Sequence, residues 1–217
     1  AGTWQPWDAV ASRDRWTYVT DHANGLIHAF DPEGQWRKAY DGVGPETPPL
    51  ERPTSLALDA LGRFYVVQEG QDYVTVLDYD GTFVAQIHGP DQVTGRFEPV
   101  AVAVDEAGVL YIADRASGQL ERCRRALDGT LSVVSPCRAF EGTAAALAFD
   151  LDGNPLLTDA GRQRVVCLQA QAAFEPQGVY YAGPLDSRIY RCQWHRVALR
   201  AAIAPGTQVQ VDTFTSE

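Results

Sequence analysis

The 217-residue chain has no methionine and a single lysine, Lys38, among its 18 basic residues. Without a Met, Ala1 is not a translation start as written, and the chain reads as processed or excised from something longer. The lysine scarcity points to a GC-rich genome rather than to chemistry. Long apolar runs are also missing. None approaches the roughly 20 residues of a membrane-spanning helix, and no charged-then-apolar leader opens the chain. Positive charge is short: 18 Lys and Arg against 28 Asp and Glu leave a net charge of −10. That argues against nucleic acid as a partner, because phosphate binding needs a basic surface. The four cysteines, Cys123, Cys137, Cys167 and Cys192, form no CxxC pair and have no His at metal-ligand spacing, which disfavours a zinc site. They are expected to be buried or half-buried free thiols made in a reducing compartment. Cys123 and Cys137 flank one hairpin, but a turn centred on Asp128-Gly129 sets Cys123 opposite Val134 rather than Cys137.

What is present is a repeat. One short apolar pattern recurs at Pro6 to Ser12 (PWDAVAS), Pro53 to Asp59 (PTSLALD), Pro99 to Asp105 (PVAVAVD) and Thr143 to Asp150 (TAAALAFD), with steps of 47, 46 and 45 residues between last positions. A second pattern follows each at Arg15 to Asp21, Arg63 to Glu69, Val109 to Asp114 and Asn154 to Asp159. A third is Leu26 to Asp31, Tyr73 to Asp78, Leu120 to Arg125 and Arg164 to Gln169. A fourth strand follows turn glycines Gly34, Gly81 and Gly129 in three units. Four short strands every 45 or so residues predict an all-β propeller with one unit per blade. The small apolar first strands suit the crowded inside of a radial assembly. No long helical periodicity competes.

Asp59, Asp105 and Asp150 stand before turns, where carboxylates accept backbone N–H groups. Asp21, Glu69, Asp114 and Asp159 end the second strands. Repetition in every unit favours turn caps over a ring of acids holding a cation. The four His, at 22, 28, 88 and 195, occupy different blade positions and are not expected to converge. No Gly-x-Ser-x-Gly elbow and no Gly-rich phosphate loop is present. The expectation is therefore a protein that is not an enzyme, with no catalytic residue, no metal ligand and no cofactor. The aromatics Trp4, Trp7, Trp16 and Trp36 are expected to pack between blades, with stacking on sugar faces as the alternative.

The units resemble NHL-type propeller repeats. Pro99 to Asp105, Gly108 to Asp114 and the Asp78 to Gly81 turn carry the likeness best, and it covers about residues 6 to 176. The chain departs from that pattern at Leu120 to Arg125, where Glu121, Arg122 and Arg124 charge a usually apolar strand. The resemblance implies a propeller usually closed by six blades, of which four are visible, so residues 1–176 are read as blades and 177–217 as a separate start.

In 177–217, alternation at Val197, Leu199 and Ala201, a Pro205-Gly206 turn, and Val209, Val211 and Thr213 predict a hairpin that packs on the propeller or begins a further β domain. The segments LDSRIYRCQWHRVAL (185–199) and PGTQVQVDTFTSE (205–217) resemble the core of a phage-tail-like protein family of contractile injection systems. That resemblance implies an NHL-like propeller followed by a β-sandwich, in a structural or assembly component of a tail or baseplate. Such a component is built in the cytoplasm, becomes part of a particle and has other tail or baseplate proteins as partners. Trp194, His195 and Arg196 would sit at the domain junction in a packing and anchoring role; the alternative is that Arg188, Arg191, Arg196 and Arg200 form a docking face for an acidic neighbour. Two further readings are a propeller that binds carbohydrate or a cell surface on such a particle, and a metal-dependent propeller lyase or lactonase.

Overall fold

The computed structural model describes residues 3–43, 49–89, 97–125, 131–137, 140 and 142–168, with the backbone alone for 124–125 and 131–137. The chain divides into two units, Ala1–Ala172 and Ala173–Glu217, and every described residue belongs to the first. The expected boundary at 176, the hairpin, Arg188, Arg191, Cys192, Trp194, His195, Arg196 and Arg200 all lie outside the described residues.

The fold is an all-β propeller arc. Blade 1 is β1 (Pro6–Ala11), β2 (Thr17–Asp21), β3 (Leu26–Phe30) and β4 (Trp36–Tyr40). Blade 2 is β5 (Pro53–Leu58), β6 (Phe64–Gln68), β7 (Tyr73–Leu77) and β8 (Phe83–His88). Blade 3 is β9 (Pro99–Val104), β10 (Leu110–Asp114), β11 (Gln119–Arg125) and β12 (Leu131–Cys137). Blade 4 has β13 (Ala144–Phe149), β14 (Pro155–Asp159) and β15 (Arg164–Cys167) among the described residues. Each blade is one antiparallel meander in chain order. No described helix is long and apolar enough to cross a membrane.

The strands form where the sequence alternates. Successive side chains point to opposite faces, so each blade offers one face to the blade before it and one to the blade after. Ile27, Ala29 and Tyr40 of blade 1 meet Leu56, Phe64, Val66 and Leu77 of blade 2. Val67, Val74 and Val76 of blade 2 meet Val102, Leu110 and Ile112 of blade 3. Ala101, Ala113 and Leu120 of blade 3 meet Ala144 and Leu157 of blade 4. Burying one side chain the size of Phe64 or Leu110 contributes about 1.5–3 kcal/mol. The inner strands β1, β5, β9 and β13 touch in series, and small residues such as Ala57, Ala101 and Ala103 let them approach.

The turn aspartates behave as expected. Asp59 accepts the Leu61 and Arg63 N–H groups at 2.9 and 3.0 Å, and Asp150 accepts those of Asp152 and Asn154 at 2.9 and 2.8 Å. Gly81, at φ +89, closes its turn against the Tyr40 ring, which a Cβ would strike.

The charged stretch from Leu120 is the third strand of its blade, as its place in the repeat implies: β11 pairs with β10 and β12, and Leu120 and Cys123 turn inward while Glu121 is buried with them. Two local expectations need correction. A bulge between Arg122 and Cys123 sets Cys123 opposite Val133 and Cys137 opposite Leu120. Cys123 is buried, but Cys167 is exposed.

Candidate functional site

The end of each inner strand's lead-in meets the end of its second strand through one repeated backbone bond. His22 N donates to Gln5 O, Glu69 N to Arg52 O, Arg115 N to Glu98 O and Ala160 N to Thr143 O, at 2.9, 3.0, 2.9 and 2.8 Å. These eight residues form a rim that runs across all four blades of the arc. Their backbones are equivalent, whereas at each of the two positions the four blades carry four different side chains. A turn requirement produces the same residue in every blade; here each blade brings something else.

A buried layer beneath holds the rim in place. Asp21 accepts the Gln5 N–H at 3.1 Å, Asp114 the Glu98 N–H at 2.9 Å and Asp159 the Thr143 N–H at 3.2 Å. In blade 2 this place belongs to Gln68 rather than Glu69, the expected member of the series. Gln68 accepts the Glu51 N–H at 2.5 Å, and its amide donates to Thr75 Oγ1 at 2.9 Å. The longer amide reaches one residue further back along the lead-in. The residue between, Arg52, takes φ +47. A left-handed backbone is costly for an L-residue with a Cβ and is often kept where a site needs it. Burial works to raise the Asp21 carboxyl, but bonds from Asn24, Gln5 and His28 outweigh it and hold the group below its ordinary range. Asp159 is lowered in the same way: bonds from Thr143, Arg162 and Arg164 overcome the effect of burial.

On the rim, His22 and Glu69 meet from different blades. His22 Nε2 lies 3.1 Å from Glu69 Oε2, and since a carboxylate only accepts, Nε2 carries the proton. The same Glu69 oxygen is 3.0 Å from Arg52 Nη1. The Trp7 ring stacks on the imidazole at 4.6 Å, and Gln5 Oε1, an acceptor, is 3.4 Å from Nδ1. The His22 side chain is 13% exposed, while Glu69 and Arg52 are open to solvent. Arg115 and Glu98 face each other at 3.8 Å on the blade 3 part of the rim. A fixed imidazole with a carboxylate to orient it and guanidinium groups nearby can move a proton and hold an anion.

His28 is committed elsewhere. The Trp36 indole N–H donates to its Nδ1 at 3.0 Å, and its Nε2 donates to Asp21 at 3.3 Å. Of the expected packing aromatics, Trp16 does pack at the blade 1–2 core, but Trp4, Trp7 and Trp36 are exposed. Among the described residues no three His, Cys, Asp or Glu side chains group to hold a metal ion, so they do not fit a resident metal.

No family model and no curated protein matches the chain. Solved structures do. A streptogramin B lyase matches with TM-score 0.54 and 17% identity, over 75% of this chain and 51% of its own. The periplasmic gluconolactonase of Pseudomonas aeruginosa matches with TM-score 0.54 and 21% identity, over 76% of this chain and 53% of its own. A structure of the nidogen/laminin complex matches with TM-score 0.54 and 20% identity, over 76% and 60%. The chain thus spans about half the length of the two enzymes. At these identities the likeness is one of fold.

The expectation that the protein is not an enzyme does not survive these neighbours: the same architecture carries a lyase and a lactonase. That expectation treated the histidines as scattered. The structure shows why this misled: residues 47 positions apart, His22 and Glu69, are brought together by the packing of consecutive blades.

Proposed function

We propose that the chain supplies part of the reaction centre of a propeller enzyme of the lyase–lactonase kind, acting on a cyclic ester. The pairing of His22 with Glu69 beside Arg52, on a rim where equivalent backbones carry unlike side chains, is the observation that carries this reading. The shared fold with the streptogramin B lyase and the gluconolactonase supports it. In such a centre Glu69 fixes the imidazole, Nδ1 takes a proton from substrate or water, and the imidazolium so formed donates that N–H to Gln5 Oε1. Arg52 and Arg115 offset negative charge on a carboxylate or a developing oxyanion, and Trp7 gives an apolar wall. No step is assigned to a metal.

The test is ring opening of a streptogramin B antibiotic and of gluconolactone by the purified protein, followed by mass spectrometry, with and without added divalent ions. Turnover is expected, and is expected to be lost in His22→Gln and Glu69→Gln while the circular dichroism spectrum stays unchanged. Absence of turnover on both substrates under all conditions would overturn the reading.

The resemblance at 185–217 supports a second proposal, that the protein is built into a phage-tail-like particle. Electron microscopy of particles from a deletion strain tests it; complete, active particles without the protein would count against it.

A further inference from the structure

Both ends of the arc carry a sheet face of the kind that every internal interface buries. On blade 1, pairing places Ala9, Val19 and His28 in one row and Ala11, Thr17, Phe30 and Trp36 in the next, all on the face turned away from blade 2. The matching positions of blade 2 include Val66, Thr75 and Leu77, all buried against blade 1. On blade 1 no blade among the described residues covers them: Trp4 leans on His28 and Phe30, Trp36 is 56% exposed, and an open hollow of about 460 Å³ is lined by Trp4, His28, Phe30 and Trp36.

Blade 4 shows the opposite face. Ala146, Thr158 and Val165 form one row, and Ala148, Leu156 and Cys167 the next. They occupy the positions that in blade 3 hold Ala101, Ala113 and Leu120, which pack on blade 4. Leu120 is 0% exposed, whereas its counterpart Val165 is 66% exposed. The inner strands tell the same story: β5 and β9 are mostly buried, while β1 and β13 are largely exposed along their length.

We propose that two copies of this chain associate head to tail, the open face of blade 1 in one copy seating on the open face of blade 4 in the other. The argument is continuity with the three interfaces inside the chain. Each of those joins a following face to the face of the next blade, and the two free faces are one of each type, so they complement one another as neighbouring blades do. A heterologous contact of this kind closes when its rotation completes a ring. The arc matches 51% and 53% of the lyase and gluconolactonase chains, so two arcs carry about as much propeller as one of those proteins. Like-to-like pairing of two blade 1 faces would instead bring Trp36 and its aromatic neighbours against themselves and leave both blade 4 faces bare.

The experiment is sedimentation velocity on the full chain, with reductant present because exposed Cys167 could tie copies together covalently. The wild-type chain is expected to sediment as a dimer, and Trp36→Arg and Val165→Arg each as monomers of unchanged circular dichroism. Mixing these two variants is expected to restore a one-to-one pair, since the first keeps an intact blade 4 face and the second an intact blade 1 face. If Val165→Arg disturbs the fold, Ala148→Glu on the neighbouring row replaces it. A wild-type chain that stays monomeric up to its solubility limit would overturn the proposal, as would a Val165→Arg or Ala148→Glu variant that still dimerises alone.

Discussion

Ser55 donates its hydroxyl to the Asp8 carboxylate of the preceding inner strand at 3.1 Å. The same carboxylate oxygen accepts the Leu56 N–H at 2.9 Å, and the Ser55 oxygen in turn accepts the Val102 N–H at 3.2 Å. Three consecutive blades are thus linked through their inner strands by one repeated contact: Asp8 and Ser55 hold equivalent positions, and each accepts the N–H of the equivalent residue of the next blade, Leu56 and Val102. Removing Asp8 leaves a Ser hydroxyl and a backbone N–H without their acceptor. Asp8→Ala is therefore expected to cost about 2 kcal/mol, read as a lower melting temperature. Asp8→Asn keeps an acceptor oxygen and should cost less.

Glu121 lies buried between blades 2 and 3, and its Oε2 has no partner among the described residues. Burial, and then the negative charge of Asp114, push its carboxyl up. A raised carboxyl favours the folded state while protonated. Its contribution is complete below the ordinary glutamate value of 4.5 and is lost as the pH rises through the raised one. Glu121→Gln should therefore melt higher than wild type at pH 8, by roughly 1 kcal/mol in stability. The gap should close on acidification. Thermal melts across a pH series check both.

The buried carboxylates under the rim titrate with the opposite sign. Asp21 and Asp159 are held below the ordinary aspartate value of 3.8 by the bonds they accept, against the upward push of burial. They stabilise the fold above that value and lose their contribution as the pH falls through their lowered ones. Asp21→Asn is expected to be less stable than wild type at pH 7 and to approach it in strong acid. A gap that persists unchanged to the acid limit would remove the ionised carboxylate as its cause.

Arg52 provides a test that separates stability from activity. Its left-handed backbone costs an L-residue about 1 kcal/mol or more, while its exposed ion pair with Glu69 is worth less than that. Arg52→Gly should leave stability unchanged or raise it by up to about 1 kcal/mol. Turnover, assayed as under the proposed function, should fall. A drop in both would mean that Arg52 serves the scaffold.

Cys123 is buried, and burial with the nearby Glu121 pushes its thiol up to about 12. A thiol so far above neutral is protonated and a poor nucleophile. Cys167 is exposed, although partial desolvation, and then Asp150 3.7 Å away, raise its thiol as well. Timed alkylation of native protein, mapped by mass spectrometry, is expected to label Cys167 and spare Cys123 until denaturant is added.

The blades were legible because alternation, small inner strands and Asp-Gly turns are local properties, written wherever a strand starts and stops. PVAVAVD and TAAALAFD read directly as β9 and β13. The rim was not legible, because His22 and Glu69 meet only through blade packing across 47 residues. Aligning Glu69 with Asp21 hid it among the caps, although Gln68 holds that place. A repeat alignment shifted by one in the second unit would have exposed the signal: His22, Glu69, Arg115 and Ala160 at one backbone position. The exposed tryptophans misled for another reason. Trp36 has the size and polarity of a packing residue, and whether it is covered depends on what stands beside blade 1, which no local pattern records.

The repeated rim bond has a consequence for how such a protein changes over time. His22–Gln5, Glu69–Arg52, Arg115–Glu98 and Ala160–Thr143 are joined by their main chains. In the first three pairs the side chains meet one another outside these main-chain bonds. Each position is a socket whose occupant can be exchanged without rebuilding the sheet behind it. Mutation can therefore rewrite the chemistry of the rim one blade at a time while selection on folding looks elsewhere.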